Sequence, residues 1–487
     1  GAWTTETRET TGTGTGTGTG TTVIGEPIDA RIGRWARDRP DGVALVDATR
    51  STTYRELWEA SGRAAGRWVG DRRTAVLPSS DVGSVAAVLG AIRAGSSVLL
   101  LHRHLTADRL ASVLAVGGPR EVVAAPRLHA RLRHLGYAGP LVTPSDAARG
   151  RDAALPSVDE SAELLAGLTS GTSGRPKVFV RSRSSWSRTL DRSDEEFTID
   201  ADARVATPGV LDHTHFLYGV IHALGRGAAV DLRPLSAGDG AGADPTHLYT
   251  VPTLAVDVVA GLGGPLRSLR EVLSSGAFWP EPARASLAAR LPGARVVHFY
   301  GASELSLVSV AASDDAVPAG SSGRVVSGVD VRIDDGVVHV RSDMLFDGYL
   351  TDESSLPVDG PVDGWFDVGD RGRVEGRWLF LSGRVSDTIS RGALKVEPAD
   401  VERALLSYPG VVEAACVGAP HPRMGAVPVA AIVTDGPVDR AALRRHLRTS
   451  LDVPSRPTRV VVTDALPRTP RGKLDRSAVP ALIDRLS

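Results

Sequence analysis

Leu168-Thr-Ser-Gly-Thr-Ser-Gly-Arg-Pro-Lys-Val178 is the most informative stretch of this 487-residue chain. Gly171 and Gly174 let backbone N–H groups approach phosphate oxygens closely. Thr169, Ser170, Thr172 and Ser173 add hydroxyl donors. Lys177 closes the run with a point charge suited to a polyphosphate. The Gly-Lys-Ser/Thr ending of a Walker A loop is missing. Taken alone, the same residues also suit a surface turn.

Lysine usage tilts the balance. Of 56 Lys plus Arg residues, only Lys177, Lys395 and Lys473 are lysines. Where generic positive charge suffices the chain uses Arg, so a compact, flexible ammonium is a candidate for special work at those positions. The alternative is a biased genome, and the position of each lysine decides between the two.

Outward from this loop, helical and strand-like patterns alternate. Thr53–Val69 carries Leu57, Ala60, Ala64 and Trp68 at helical spacing. Asp81–Ala94 predicts a helix before the strand-like Ser97–Leu101, and Asp108–Val116 another before Glu121–Ala125. That alternation predicts an α/β architecture with parallel sheets and flanking helices. Near Arg384 the texture changes. Helices are expected at Pro398–Ser407 and Asp439–Thr449, with strands at Val411–Gly418, Val427–Val433 and Thr458–Val462, a small α+β domain. The expected division is a disordered Thr/Gly tail over 1–22, a large domain over 23–384 and a mobile domain over 385–487.

The bulk numbers exclude other classes. A composition 42% hydrophobic and 23% charged is ordinary for a globular protein, and a net charge of -1 does not suggest a nucleic-acid or anionic-membrane partner. Cys416 is the only cysteine, so an intrachain disulfide or clustered cysteine metal site is excluded, which fits a reducing cytoplasm. The apolar stretch Ser84–Ile92 is broken at Arg93 and is too short to span a bilayer. The opening residues lack a basic start followed by an apolar run and are not expected to be a secretory leader; Gly1 in place of Met suggests processing or a cloning remnant.

Further motifs follow in order. Tyr300-Gly-Ala-Ser-Glu304 comes after the strand-like Ala294–Phe299, where a carboxylate is well placed to hold Mg²⁺ in a nucleotide site. Gly364-Trp-Phe-Asp-Val-Gly-Asp370 sets Asp370 where it can accept two ribose hydroxyls. Gly383-Arg-Val-Ser-Asp387 opens the boundary segment and Ala393-Leu-Lys-Val-Glu-Pro398 follows it. Pro467-Arg-Thr-Pro-Arg-Gly-Lys-Leu-Asp-Arg476 makes a turn that presents Lys473. Each alone also suits a solvated turn.

In this order and spacing, the set resembles the adenylate-forming superfamily of acyl- and aryl-CoA synthetases, carrier-protein-loading adenylation domains and beetle luciferases. The resemblance runs from about Val23 to the end of the chain. It implies ATP-dependent activation of a carboxylic acid to an acyl-adenylate, release of pyrophosphate, and thioester formation with CoA. Loading onto a carrier protein, or onto an amine in natural-product biosynthesis, is the alternative. ATP and Mg²⁺ are the implied cofactors.

Residue by residue, Thr169–Lys177 is similar to the family's phosphate loop, and Ser275-Gly276-Ala277-Phe278 to the segment lining the adenine and acyl pocket. Tyr300, Gly301 and Ser303 lie in its Tyr-Gly-x-Thr-Glu motif, with Glu304 as the Mg²⁺ contact. Asp370 and Arg384 match its ribose-binding residues, Lys395 falls inside a family motif among the nucleotide contacts, and Lys473 matches the lysine that catalyses adenylation. His213 best fits the gate for the carboxylate, with His215 as the alternative. Phe216, Tyr218, Phe278 and Trp279 suit an apolar pocket wall, with core packing the other reading; Asp212 suits either an amino-group contact or a solvated turn. Ser386 stands at the hinge, where relatives usually carry Asp or Lys, and Ala393 stands beside the thiol tunnel, where many have Gly. Val178-Phe-Val-Arg-Ser182 replaces the commoner His-containing continuation of the loop.

Overall fold

The computed structural model describes residues 25–150, 152–168, 177–234, 245–261, 268–276, 279, 281–351, 354–384, 387–391, 394–421, 424–451, 453–469 and 472–486. The Thr/Gly tail over 1–22 lies outside them.

The first sheet is built on short runs whose every residue is buried: Arg73–Leu77, Ser97–Leu100 and Val122–Ala124. These strands pair in parallel, as strands covered on both faces do. The helix Tyr54–Trp68 begins where Thr53 and Glu56 form a reciprocal capping box, and it buries Tyr54, Leu57, Ala64 and Trp68 at helical spacing. Val82–Arg93 starts at Asp81, whose side chain accepts from the Ser84 amide, and is buried almost all round. The two helices meet at Gly90, where a Cβ would stand 2.7 Å from that of Ala64. Only glycine allows this approach.

Glu163–Leu168 joins Ser97–Leu100 in parallel, then turns back antiparallel into Val178–Ser182. The last pair of that hairpin is Leu168 with Val178, so both ends of the expected phosphate loop are pinned side by side. Arg73 and Glu163 clasp each other across the intervening strand, Nε to Oε1 and Nη2 to Oε2, both at 2.6 Å. Gly348–Thr351 continues the sheet antiparallel to Val178–Ser182.

The second sheet carries the parallel strands Arg204–Ala206, His247–Thr250, Glu271–Ser274 and Arg295–Ala302. It then continues antiparallel through Ser306–Ala312 and, further along, the hairpin Asp370–Glu375 with Trp378–Arg384. The helices Arg183–Glu196 and Thr214–Gly225 contribute to the large core.

The C-terminal part has its own sheet, in which Val411–His421 pairs antiparallel with Gly425–Thr434, and Arg459–Val462 joins in parallel. Helices Pro398–Leu406, Arg440–Ser450 and Val479–Arg485 accompany it, and its apolar clusters are separate from those of the larger part. Each element lies within a few residues of its expected bounds. Cys416 is fully buried, and burial pushes its thiol pKa up, so it is a packing residue and not a reactive one. Among the described residues no helix is long and apolar enough to cross a membrane.

Candidate active site

Parallel strands deliver their C-terminal ends to one edge of a sheet, and that edge carries the motifs here. Ser275 and Gly276 directly follow Glu271–Ser274, Gly276 at a φ of +85° that glycine adopts without strain. The neighbouring strand Arg295–Ala302 ends in Tyr300 and Gly301, then turns through Ser303 and Glu304 into Ser306–Ala312. A Cβ at Gly301 would sit 1.8 Å from the Ser306 carbonyl oxygen, so this turn closes only around glycine.

Glu304 is buried at 8% exposure, and the Tyr349 hydroxyl donates to its Oε1 at 2.9 Å. Burial and the adjacent Glu304 raise the Tyr349 pKa, which keeps it a donor. Lys177 Nζ sits 4.9 Å from the centroid of the same ring, a cation–π contact. Tyr349 therefore links the end of the phosphate loop to the acidic turn. The local sequence does not mark it; the signal is its cross-strand register opposite Phe179.

Asp370 accepts from Tyr300 Oη at 2.5 Å on one oxygen and from Arg384 Nε at 2.8 Å on the other. Asp370 and Arg384 are direct partners across their hairpin. Burial and Asp370 hold the Tyr300 pKa well above its ordinary range, so it stays protonated. A carboxylate has about four lone-pair sites, so Asp370 retains capacity for further donors.

The two histidines have different surroundings. His213 caps the helix Thr214–Gly225, its Nδ1 accepting from the His215 amide at 3.4 Å. His215 is the one enclosed by aromatic rings, 5.0 Å from Tyr249, 5.2 Å from Phe216 and 5.7 Å from Phe299. Its Nε2 lies 2.7 Å from the Thr250 carbonyl, which fixes Nε2–H as the donor. Burial, opposed by the Thr250 bond and aided by the charge of Lys473, lowers its pKa to about 4. The charge of Lys473, from the C-terminal part, thus acts on His215.

Asp212 is not a solvated turn residue: it is 9% exposed and accepts from the Arg103 amide at 2.9 Å and from Arg103 Nε at 2.8 Å. Tyr218 reaches Ser193 Oγ at 2.6 Å and packs edge-on against Trp186. Trp279 belongs to a separate apolar cluster and meets His298 edge-on, which is the core-packing alternative. Phe216 is 6% exposed and lies against Gly209, where a Cβ would come within 2.1 Å of its ring. Thr169, Ser170, Gly171, Thr172, Ser173, Gly174, Ala277, Phe278, Ser386 and Ala393 lie outside the described residues. The backbone of Lys395 is in Leu394–Val396, paired with Ser390.

Among the described residues no group of three His, Cys, Asp or Glu side chains could hold a metal ion by itself. A single buried carboxylate is the donor set for a hard cation that arrives already bound to substrate phosphates, so Glu304 fits Mg²⁺.

Two layered parts, a glycine-rich loop pinned between strands and an Asp–Tyr–Arg cluster at a sheet edge define a nucleotide-dependent α/β enzyme. The family profile described as AMP-binding enzyme matches residues 32–350, and that described as AMP-binding enzyme C-terminal domain matches 400–473. The chain belongs to the AMP-binding enzyme family, and within it to the acid–thiol ligases that proceed through an acyl-adenylate. It is 30% identical over 469 residues to the uncharacterized acyl–CoA ligase YhfT of Bacillus subtilis (strain 168), covering 91% of this chain and 96% of that one. It is 28% identical over 516 residues to the salicyl-AMP ligase / salicyl-S-ArCP synthetase of Mycobacterium tuberculosis, covering 93% and 90%. The fold is that of ATP-bound MatB from Rhodopseudomonas palustris, with a TM-score of 0.82 at 22% identity over 95% of this chain and 100% of that one.

Proposed function

We propose that this enzyme activates a carboxylic acid that is not an α-amino acid, and passes the acyl group to CoA. The observation that supports this reading most is the Tyr300–Asp370–Arg384 cluster at the sheet edge, and the charge of Lys473, from the C-terminal part, is felt at the buried His215. In the adenylation step the substrate carboxylate attacks the α-phosphorus, the bond to pyrophosphate breaks, and pyrophosphate carries away the electron pair. Lys473 stabilises the charge that shifts over the phosphoryl oxygens. Bound Mg²⁺ supplies charge neutralisation on the phosphates, and Glu304 would hold it.

Asp370, oriented by Tyr300 and Arg384, takes the ribose hydroxyls. Thr169 to Gly174 with Lys177 cradle the phosphates, Ser275 to Ala277 face the adenine, and Lys395 contributes to the nucleotide site. The gate beside the acid carboxylate is His213 or His215; the aromatic contacts of His215 favour it. A neutral imidazole there does not compete with Lys473 for the negative charge. The engagement of Asp212 with Arg103 supports a substrate without an α-amino group, since that carboxylate is already paired.

For the thiol step, residues 385–487 rotate on Ser386 as a unit separate from 23–384, Lys473 leaves, and Ala393 lines the thiol's path. The acyl–CoA ligase description of YhfT supports CoA; the salicyl-S-ArCP synthetase supports a carrier protein as the second reading. A panel of acids incubated with ATP and CoA, and in parallel with phosphopantetheinylated carrier proteins, tests this. Acyl-CoA is the expected product. Acyl transfer to a carrier with no CoA product would overturn the CoA assignment.

A further inference from the structure

We infer that Arg181 is a positioning residue for Glu304, holding from behind the turn that presents this carboxylate to the Mg²⁺–nucleotide; the inference rests on the reading of Glu304 as the metal contact.

Arg181 lies in Val178–Ser182, the strand that leaves the phosphate loop, and is only 5% exposed. Its Nη1 donates to the Ser303 carbonyl oxygen at 3.2 Å. Nε donates to Ser185 Oγ at 2.9 Å, and Nη2 to Ser185 O and Thr189 Oγ1, each at 3.2 Å. Thr189 Oγ1 in turn lies 2.9 Å from Ser306 Oγ. Ser303 and Ser306 bracket Glu304, and Ser306 sits at a φ of +63°, a conformation that non-glycine residues adopt only when their surroundings hold them. Arg181 and Thr189 thus grip both flanks of the turn.

Its charge is the second observation. Among the described residues its four hydrogen-bond acceptors are all neutral. A buried guanidinium without a bonded carboxylate is costly, and neutral donors would serve these acceptors equally well. Arg181, Lys177 and Tyr349 together tie the loop strand to the acidic turn, so the phosphate grip and the metal contact are set by one piece of backbone.

The test is calorimetric binding of ATP with Mg²⁺ and of ATP with EDTA, on the full chain and on Arg181→Gln, Thr189→Val and Glu304→Gln. Outer-shell partners of metal sites typically carry about 10- to 100-fold in metal affinity, so Arg181→Gln should cut the affinity advantage of MgATP over ATP by about 10-fold, Thr189→Val by about 3-fold, and neither should change Mg-free ATP binding by more than about twofold. If Arg181→Gln does not fold, Thr189→Val carries the decision. An unchanged MgATP advantage in these variants, or equal weakening of ATP with and without the metal, overturns the inference while a loss in Glu304→Gln leaves the metal reading standing. A full MgATP advantage in Glu304→Gln overturns that reading and the inference with it.

Discussion

Tyr300 and Asp370 lie 70 positions apart in the chain, yet the phenol donates to the carboxylate at 2.5 Å, joining the end of a parallel strand to a hairpin of the same sheet. Arg384 holds the other oxygen, so the carboxylate plane is fixed before any nucleotide binds. Preorganisation of this kind lowers the ordering cost of binding.

Replacing Tyr300 by Phe removes one hydrogen bond to a charged group, a contact worth about 1.5–3 kcal/mol. The expected result is a rise in the KM for ATP of about 10-fold or more, with the KM for the acid changed far less. Steady-state kinetics with each substrate varied in turn checks this. An equal rise in both constants would contradict the assignment of Asp370 to the nucleotide.

Acid sensitivity follows from the buried histidines. His215, held at about 4, is neutral in the fold, whereas an unfolded histidine titrates near about 6.5. Its stabilising contribution is present above the unfolded value and is lost as pH falls from there through about 4, because the unfolded chain takes up a proton the fold refuses. His298 at about 3 and His247 at about 4 act in the same direction, each chiefly through burial. Urea unfolding should show stability declining below pH 6.5, and His215→Phe should remove about one proton's worth of the slope, at most about 1.4 kcal/mol per pH unit. A slope unaltered in the variant would show that His215 titrates normally.

The Arg73–Glu163 clasp ties two strands of the first sheet across a third, with Arg73 at 4% exposure. Glu163→Gln strands a buried guanidinium and should destabilise the fold by about 3 kcal/mol, read from the urea midpoint at constant slope. The double variant Arg73→Met with Glu163→Leu should recover much of that loss, since the cost lies in the uncompensated charge.

How much of this was legible in the sequence depended on the range of the interaction. Tyr54–Trp68 announces itself by Leu57, Ala64 and Trp68 at helical spacing and by its capping box, all local signals. Lys473 was legible because lysine is scarce in an arginine-rich chain. Asp212 was not, because its partner Arg103 is 109 positions away and only the fold brings them together. Tyr349 was hidden for the same reason: its contacts with Glu304 and Lys177 arise from strand register, and its own neighbourhood carries no motif. Between His213 and His215, two positions apart on one helix end, spacing favoured the first, whereas the aromatic contacts gather around the second.

Everything proposed for this chain turns on its forming an acyl-adenylate with Lys473 as the transition-state cation. Its most direct test is acid-dependent exchange of labelled pyrophosphate into ATP, measured on the unaltered enzyme and on Lys473→Ala with circular dichroism as the folding control. The expected result is exchange that requires both the acid and Mg²⁺, and a fall of about 10²–10³ in a folded Lys473→Ala. Exchange at the full rate in that variant, or no exchange by the unaltered enzyme with any carboxylic acid, would contradict it.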